Sequence, residues 1–171
     1  MLISGQQLIG KKIMSMRIGR AIGVTTDIII NPNNLKIEGW FAQDLDTKKA
    51  VILLSQDVRG FVEQGFAVND HDALSDPDEL IRLKELLKLN FTLIGKIVVT
   101  DHHRRVGKVA NYILNDNSFY IQKLNISQSI LKNFSGGEII VDRSQILEIT
   151  DSKIRISEAT AQDSAPMPAI A

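Results

Sequence analysis

The chain has 171 residues, 44% of them apolar and 23% charged, with twenty basic and twenty acidic side chains that cancel and no cysteine. This composition predicts a soluble, folded protein able to bury a core, and it excludes disulfides, thiolate catalysis and thiolate metal sites. No apolar run approaches the roughly 18 residues that span a bilayer, and a sequence pI near 6.8 argues against a dedicated nucleic-acid-binding domain, which usually lies above about 9.

The opening stretch, MLISGQQLIGKKIMS, lacks a basic segment followed by a 7 to 15-residue apolar core, which predicts a cytoplasmic protein without membrane insertion. Leu8-Ile9-Gly10-Lys11 leads into a strand-like run, Ile13 to Met16. A second run, Gly23 to Asn31, ends in Asn31-Pro32-Asn33-Asn34, short polar residues that bond their own backbone and tolerate left-handed conformations, so a hairpin is predicted. In the returning strand the apolar positions Leu35 and Ile37 are followed by Trp40 and Ala42. Strand side chains alternate with period two, so a step of three requires one extra residue, a bulge near Glu38-Gly39. That register turns Trp40 inward and Phe41 outward, making Phe41 a candidate partner contact. Thr47-Lys48-Lys49 then connects to Val51 to Leu54, and Val58, Phe61, Phe66 and Val68 flank the turn Glu63-Gln64-Gly65 of a last hairpin.

Ser75-Asp76-Pro77-Asp78-Glu79 precedes Leu80, Leu83, Leu86 and Leu87 at helical spacing. Ser75 or Asp76 suits an N-cap, Pro77 the first helical position, and the acidic pair the positive end of the dipole. This predicts a helix of about three turns whose leucine stripe docks on a neighbouring domain, because so short a helix is marginal alone.

Beyond the helix the pattern repeats. Leu93-Ile94-Gly95-Lys96 echoes the first tetrapeptide at an offset of 85, Gly107 to Asn115 echoes Gly23 to Asn31 at 84, and Ile146, Ile149, Ile154 and Ile156 echo the last hairpin at 88. A second bulge is expected near Gln122-Lys123, and a longer connection runs from Ser127 to Gly137. After Ser157 the chain has no periodicity and reads as a disordered tail.

The order of five matched blocks in both copies resembles the PRC-barrel family. The resemblance implies a mainly β fold: two tandem small PRC-type β-barrels at 1–74 and 91–157, a short α-helical linker at 75–90 and a tail at 158–171. It also implies binding and scaffolding with no family-wide catalytic residues, in a family that includes a ribosome maturation factor.

The chemistry-bearing residues point the same way. Asp101-His102-His103 fall in an expected strand-to-strand turn, and zinc needs three or four convergent ligands, so a solvated turn is predicted and no metal. Arg104, Arg105 and Lys108 make the most basic spot of the second copy and are candidate partner-binding residues. Gly19, Gly23 and Gly107 precede no helix, which argues against a phosphate-binding loop; Ser127, Ser129 and Ser135 lie near no plausible histidine base, and the aspartates are scattered. No catalytic residue and no cofactor is expected. The predicted function is a non-catalytic scaffold or adaptor that binds another protein. The alternatives are a ribosome- or RNA-associated maturation factor and, more weakly, a small-ligand binder at a groove between the barrels. The sequence gives no oligomeric state.

Overall fold

A computed structural model describes residues 1–128 and 137–157. The expected tail at 158–171 and most of the longer connection after Ser127 lie outside the described residues. The chain is mainly β and divides into two units, Met1–Phe91 with Asn115–Tyr120, and the remainder from Thr92 onward.

The first unit contains β1 (Leu2–Ser4), β2 (Lys12–Ser15), β3 (Arg20–Asn31), β4 (Lys36–Asp44), β5 (Ala50–Leu54), β6 (Val58–Val62), β7 (Gly65–Val68) and β8 (Leu74–Ser75). Its sheet runs β6-β7-β2-β3-β4-β5-β8. The second unit repeats this order. With β9 (Ile97–Thr100), β10 (Arg105–Asn115), β11 (Ile121–Ser127), β12 (Glu138–Asp142), β13 (Ile146–Ile149) and β14 (Lys153–Ile156), its path is β13-β14-β9-β10-β11-β12. All neighbours are antiparallel except β2 with β7 and β9 with β14, where the final hairpin returns parallel to the first strand. Among the described residues neither sheet closes into a barrel by hydrogen bonding. In the first, the edge of β5 is taken by β8 (Ile52 opposite Ser75, Leu53 opposite Leu74), not by β6.

The repeat extends to individual residues. Leu-Ile-Gly-Lys is a turn whose glycine adopts a left-handed conformation, φ +72° at Gly10 and +83° at Gly95, a region costly for other residues. The N–H of Gly10 donates to Thr25 O and that of Gly95 to Val109 O, both at 2.8 Å, tying the turn to the long hairpin. Both expected bulges are present. Ile29 faces Gly39 and Ile30 faces Ile37, leaving Glu38 as the extra residue; Ile113 faces Lys123 and Leu114 faces Ile121, leaving Gln122. A further register shift on the outgoing strand, between Thr25 and Asp27 and between Val109 and Asn111, was not foreseen. The last hairpins also match: Val58 opposite Val68 and Phe61 opposite Phe66 correspond to Ile146 opposite Ile156 and Ile149 opposite Ile154.

One turn recurs three times. Asn31, Asp44 and Asn115 each accept backbone N–H bonds through a side-chain oxygen, from Asn33, from Asp46 and Thr47, and from Asn117 and Ser118. The residue four places on donates its N–H to the first carbonyl at 2.8–2.9 Å and sits at positive φ: Leu35 at 54°, Lys48 at 62° and Phe119 at 60°. Leu35 and Phe119 nevertheless bury their side chains.

The core of the first unit is built around Trp40, which is fully buried. Its ring lies 4.7 Å from that of Phe66 and 5.8 Å from that of Phe119, and Phe61 stands 5.3 Å from Phe66. Phe119 belongs to this unit through the segment Asn115–Tyr120, where the Ile37 N–H also donates to the Phe119 carbonyl at 2.9 Å. In the second unit Tyr112, Leu114, Ile121, Leu124, Val98 and Ile154 fill the corresponding interior.

The segment after β8 is less regular than its leucine spacing predicts. Asp76 caps it, its side chain accepting the Asp78 N–H at 2.9 Å, but Pro77–Glu79 forms a separate 3-10 turn before the eight-residue helix α1 (Ile81–Lys88). None of its residues is buried: Leu80, Leu83, Leu86 and Leu87 are half-buried and Ile81 is 77% exposed. The stripe is therefore covered only in part. Leu83→Asp is expected to lower stability by about 1 kcal/mol, roughly half the value of a fully buried leucine, with no change for Lys84→Ala; urea denaturation of the full chain measures both. No helix among the described residues is long and apolar enough to cross a membrane.

Candidate functional site

In the first unit the β2–β3 turn, the 3-10 turn Ser55–Asp57 and the segment Asn69–Ala73 surround an open cleft of about 480 Å³. Arg17, Asp57, Arg59, Asn69, Asp70 and Asp72 line it. Arg17 is fixed at both ends, its backbone N–H on Asn69 O at 3.1 Å and its guanidinium on Asp70 Oδ2 at 2.7 Å. The His71 backbone N–H and that guanidinium hold the Asp70 carboxyl below the usual range. Asp57 behaves oppositely: burial raises its carboxyl, Asp72 across the cleft adds to this, and Arg59 offsets it in part. Met16 and Ile18, on either side of Arg17, are 57% and 49% exposed. The cleft thus combines charges of both signs, and the residues next to Arg17 in the chain are exposed and apolar.

Beside Asp70 the chain folds a second group of polar side chains together. Asp44 is buried at the start of the recurring turn; its Oδ1 accepts the N–H groups of Asp46 at 2.8 Å and Thr47 at 3.0 Å, and its Oδ2 lies 2.8 Å from His71 Nε2. Burial would raise the Asp44 carboxyl, but the two backbone donors and the neighbouring imidazole outweigh it and the net displacement is downward. Asp46 is held low chiefly by Arg20, whose guanidinium forms a fork of 3.1 and 2.8 Å on its two oxygens.

The folded state therefore binds protons at Asp44, Asp46 and Asp70 less readily than the unfolded chain. The stability these groups contribute is present above the ordinary carboxylate range and is lost as pH falls below about 4. Denaturation midpoints measured from pH 6 to pH 3 are expected to fall, and to fall less steeply in an Asp46→Asn variant.

The residues singled out from sequence lie elsewhere. Phe41 is on β4 opposite Trp40 in pleat, as expected, but it is half-buried, not fully exposed, because neighbouring strands cover part of the ring. Arg104, Arg105 and Lys108 are all exposed, the first two at the β9–β10 turn with Asp101, His102 and His103, and Lys108 further along β10 opposite Ile97. His103 occupies the left-handed position of that turn, φ +61°. These basic residues lie in the second unit and belong to neither group in the first. Asp44, Asp46 and His71 were not singled out. The only signal for them was the Asx-turn pattern Asp-Leu-Asp-Thr-Lys, which fixes the first two; nothing local brings His71 to them.

No protein-family model matches the chain, and no curated protein matches it.

Proposed function

We propose that this chain is a non-catalytic scaffold or adaptor of the cytoplasm, built from two PRC-barrel-like repeats with a helical linker, and that it binds another protein. The cleft of the first unit carries this reading. Its walls bear charges of both signs, and exposed Met16 and Ile18 flank Arg17 in the chain; protein interfaces are made from such polar contacts and apolar anchors, whereas small-molecule pockets are enclosed and mainly apolar. The repeated register of the two sheets supports the tandem arrangement. The test uses the full chain as bait in native extract, beside a Met16→Glu/Ile18→Glu variant, with captured proteins quantified by mass spectrometry. A set enriched on the parent and lost on the variant is expected. Equal recovery on both baits removes the cleft as the interface.

A second reading rests on a different surface. Exposed Arg104, Arg105 and Lys108 offer cations suited to phosphate, which favours ribosome or RNA association. Counterion release makes such binding fall steeply with salt. Co-sedimentation with ribosomes at low but not raised salt supports it, and absence from ribosomal fractions at low salt excludes it.

A further inference from the structure

The donor atoms of Asp44, Asp46 and His71 all lie within 4.8 Å of one another. They come from two separate places, the β4–β5 turn and the 3-10 turn His71–Ala73, so a single ion would cross-link segments that otherwise meet only through side chains. A zinc ion reaches nitrogen and carboxylate oxygen at about 2.0–2.2 Å, so closing around it needs an inward movement of the exposed Asp46 and a slight parting of His71 from Asp44, now 2.8 Å apart.

Two features separate this group from an ordinary structural ion pair. Asp44 already satisfies its role in the turn through Oδ1, leaving Oδ2 directed at the histidine. The Nε2 of His71 stands 2.8 Å from Asp44 Oδ2 without a directed hydrogen bond, while the ring as a whole is 44% exposed and has room to turn. A nitrogen that meets a carboxylate in this way can present its lone pair to a metal, and buried polar groups are ordinarily satisfied. We propose that His71 Nε2, Asp44 Oδ2 and an Asp46 oxygen bind a divalent transition metal, Zn²⁺ foremost, and that Arg20 occupies Asp46 until the metal displaces it. This does not depend on the protein-binding reading.

One nitrogen, two carboxylates and no sulfur suit borderline ions such as Zn²⁺, Co²⁺ or Ni²⁺, whereas Ca²⁺ and Mg²⁺ take oxygen ligands only. Three protein ligands leave a position for water. Arg20 is the competing cation. Its side chain is 53% exposed, so it can swing into solvent when a dication takes Asp46.

The test is calorimetric titration of chelator-treated full-length protein with ZnCl₂, MgCl₂ and CaCl₂, with melting temperature as a second readout. One equivalent of Zn²⁺ is expected to bind and raise the melting temperature, with no matching effect from Mg²⁺ or Ca²⁺. Arg20→Gln should bind about tenfold more tightly, because the competing cation is gone. Asp46→Asn, on the exposed side of the turn, and His71→Ala should each weaken binding at least tenfold, whereas His102→Ala/His103→Ala should leave it unchanged. The proposal is overturned if neither the parent nor Arg20→Gln binds Zn²⁺. It is equally overturned if binding survives both Asp46→Asn and His71→Ala, or disappears with His102 and His103.

Discussion

Trp40→Ala is expected to remove about 3–5 kcal/mol from the first unit, the range for truncating a buried large aromatic side chain. The ring is fully enclosed, and Phe66 and Phe119 both lean on it, so the cavity has no flexible neighbour to fill it. A domain of this size has about 5–15 kcal/mol in total, and the variant is therefore expected to be marginal at 37 °C. Trp40→Phe should cost much less, about 1–2 kcal/mol. The indole Nε1 is buried without an acceptor, and removing an unsatisfied donor recovers part of what the lost volume costs. Because Trp40 is the sole tryptophan, the comparison requires circular dichroism, with amide exchange in β2–β7 to localise the loss. Equal destabilisation by the two substitutions would refute this account of the core.

The second large effect is expected at Gly107. Paired strands approach so closely there that an added Cβ would stand 2.2 Å from Ser127 O and 2.9 Å from its carbonyl carbon. Both are backbone atoms at the end of the β10–β11 ladder, where Lys108 faces Ser127, so moving them disturbs that terminal pair. Gly107→Ala should cost about 3 kcal/mol and reduce exchange protection at the Ser127 end of β11. Gly23, the corresponding residue of the first repeat, is the control. An added Cβ there meets Ile13 Cδ1 at 3.1 Å and Gln43 O at 3.2 Å, and a shift of a few tenths of an ångström by a side-chain tip relieves most of it. Gly23→Ala is expected to cost about 1 kcal/mol. Similar costs at both positions would mean that the strand approach is not what selects glycine.

Much of this architecture was legible because it is written in short-range pattern. The step from Ile37 to Trp40 announced the bulge, Asn31 and Asn115 announced the turns, and alternation placed Trp40 inside; each is decided by residues only a few positions apart. The helix was legible only in part, for a related reason. Leucine spacing reports which face is apolar, but neither where the 3-10 turn gives way to the helix nor what meets that face, and Leu83 is half-buried. Whether the sheets close was likewise invisible, since it depends on which strand takes the edge of β5. The group formed by Asp44, Asp46 and His71 is the clearest case of what pattern cannot hold: two members share a turn, and the third arrives through the pairing of β5 with β8 and the return of β7 to β2.

That return has a kinetic consequence. In each repeat the first strand waits for the last: Ile13 pairs in parallel with Phe66, and Val98 with Ile154. The aromatic cluster of the first unit waits longer still, for Phe119. Chains whose native contacts are remote in sequence fold slowly, on millisecond to second timescales, because loop closure must precede the contacts that reward it. During synthesis, at about 5–20 residues per second, the first repeat emerges several seconds before Phe119 does. Over that interval Trp40 lacks one of the two rings that lean on it, so the nascent first repeat is the stage at which this protein is most open to aggregation and to capture by chaperones.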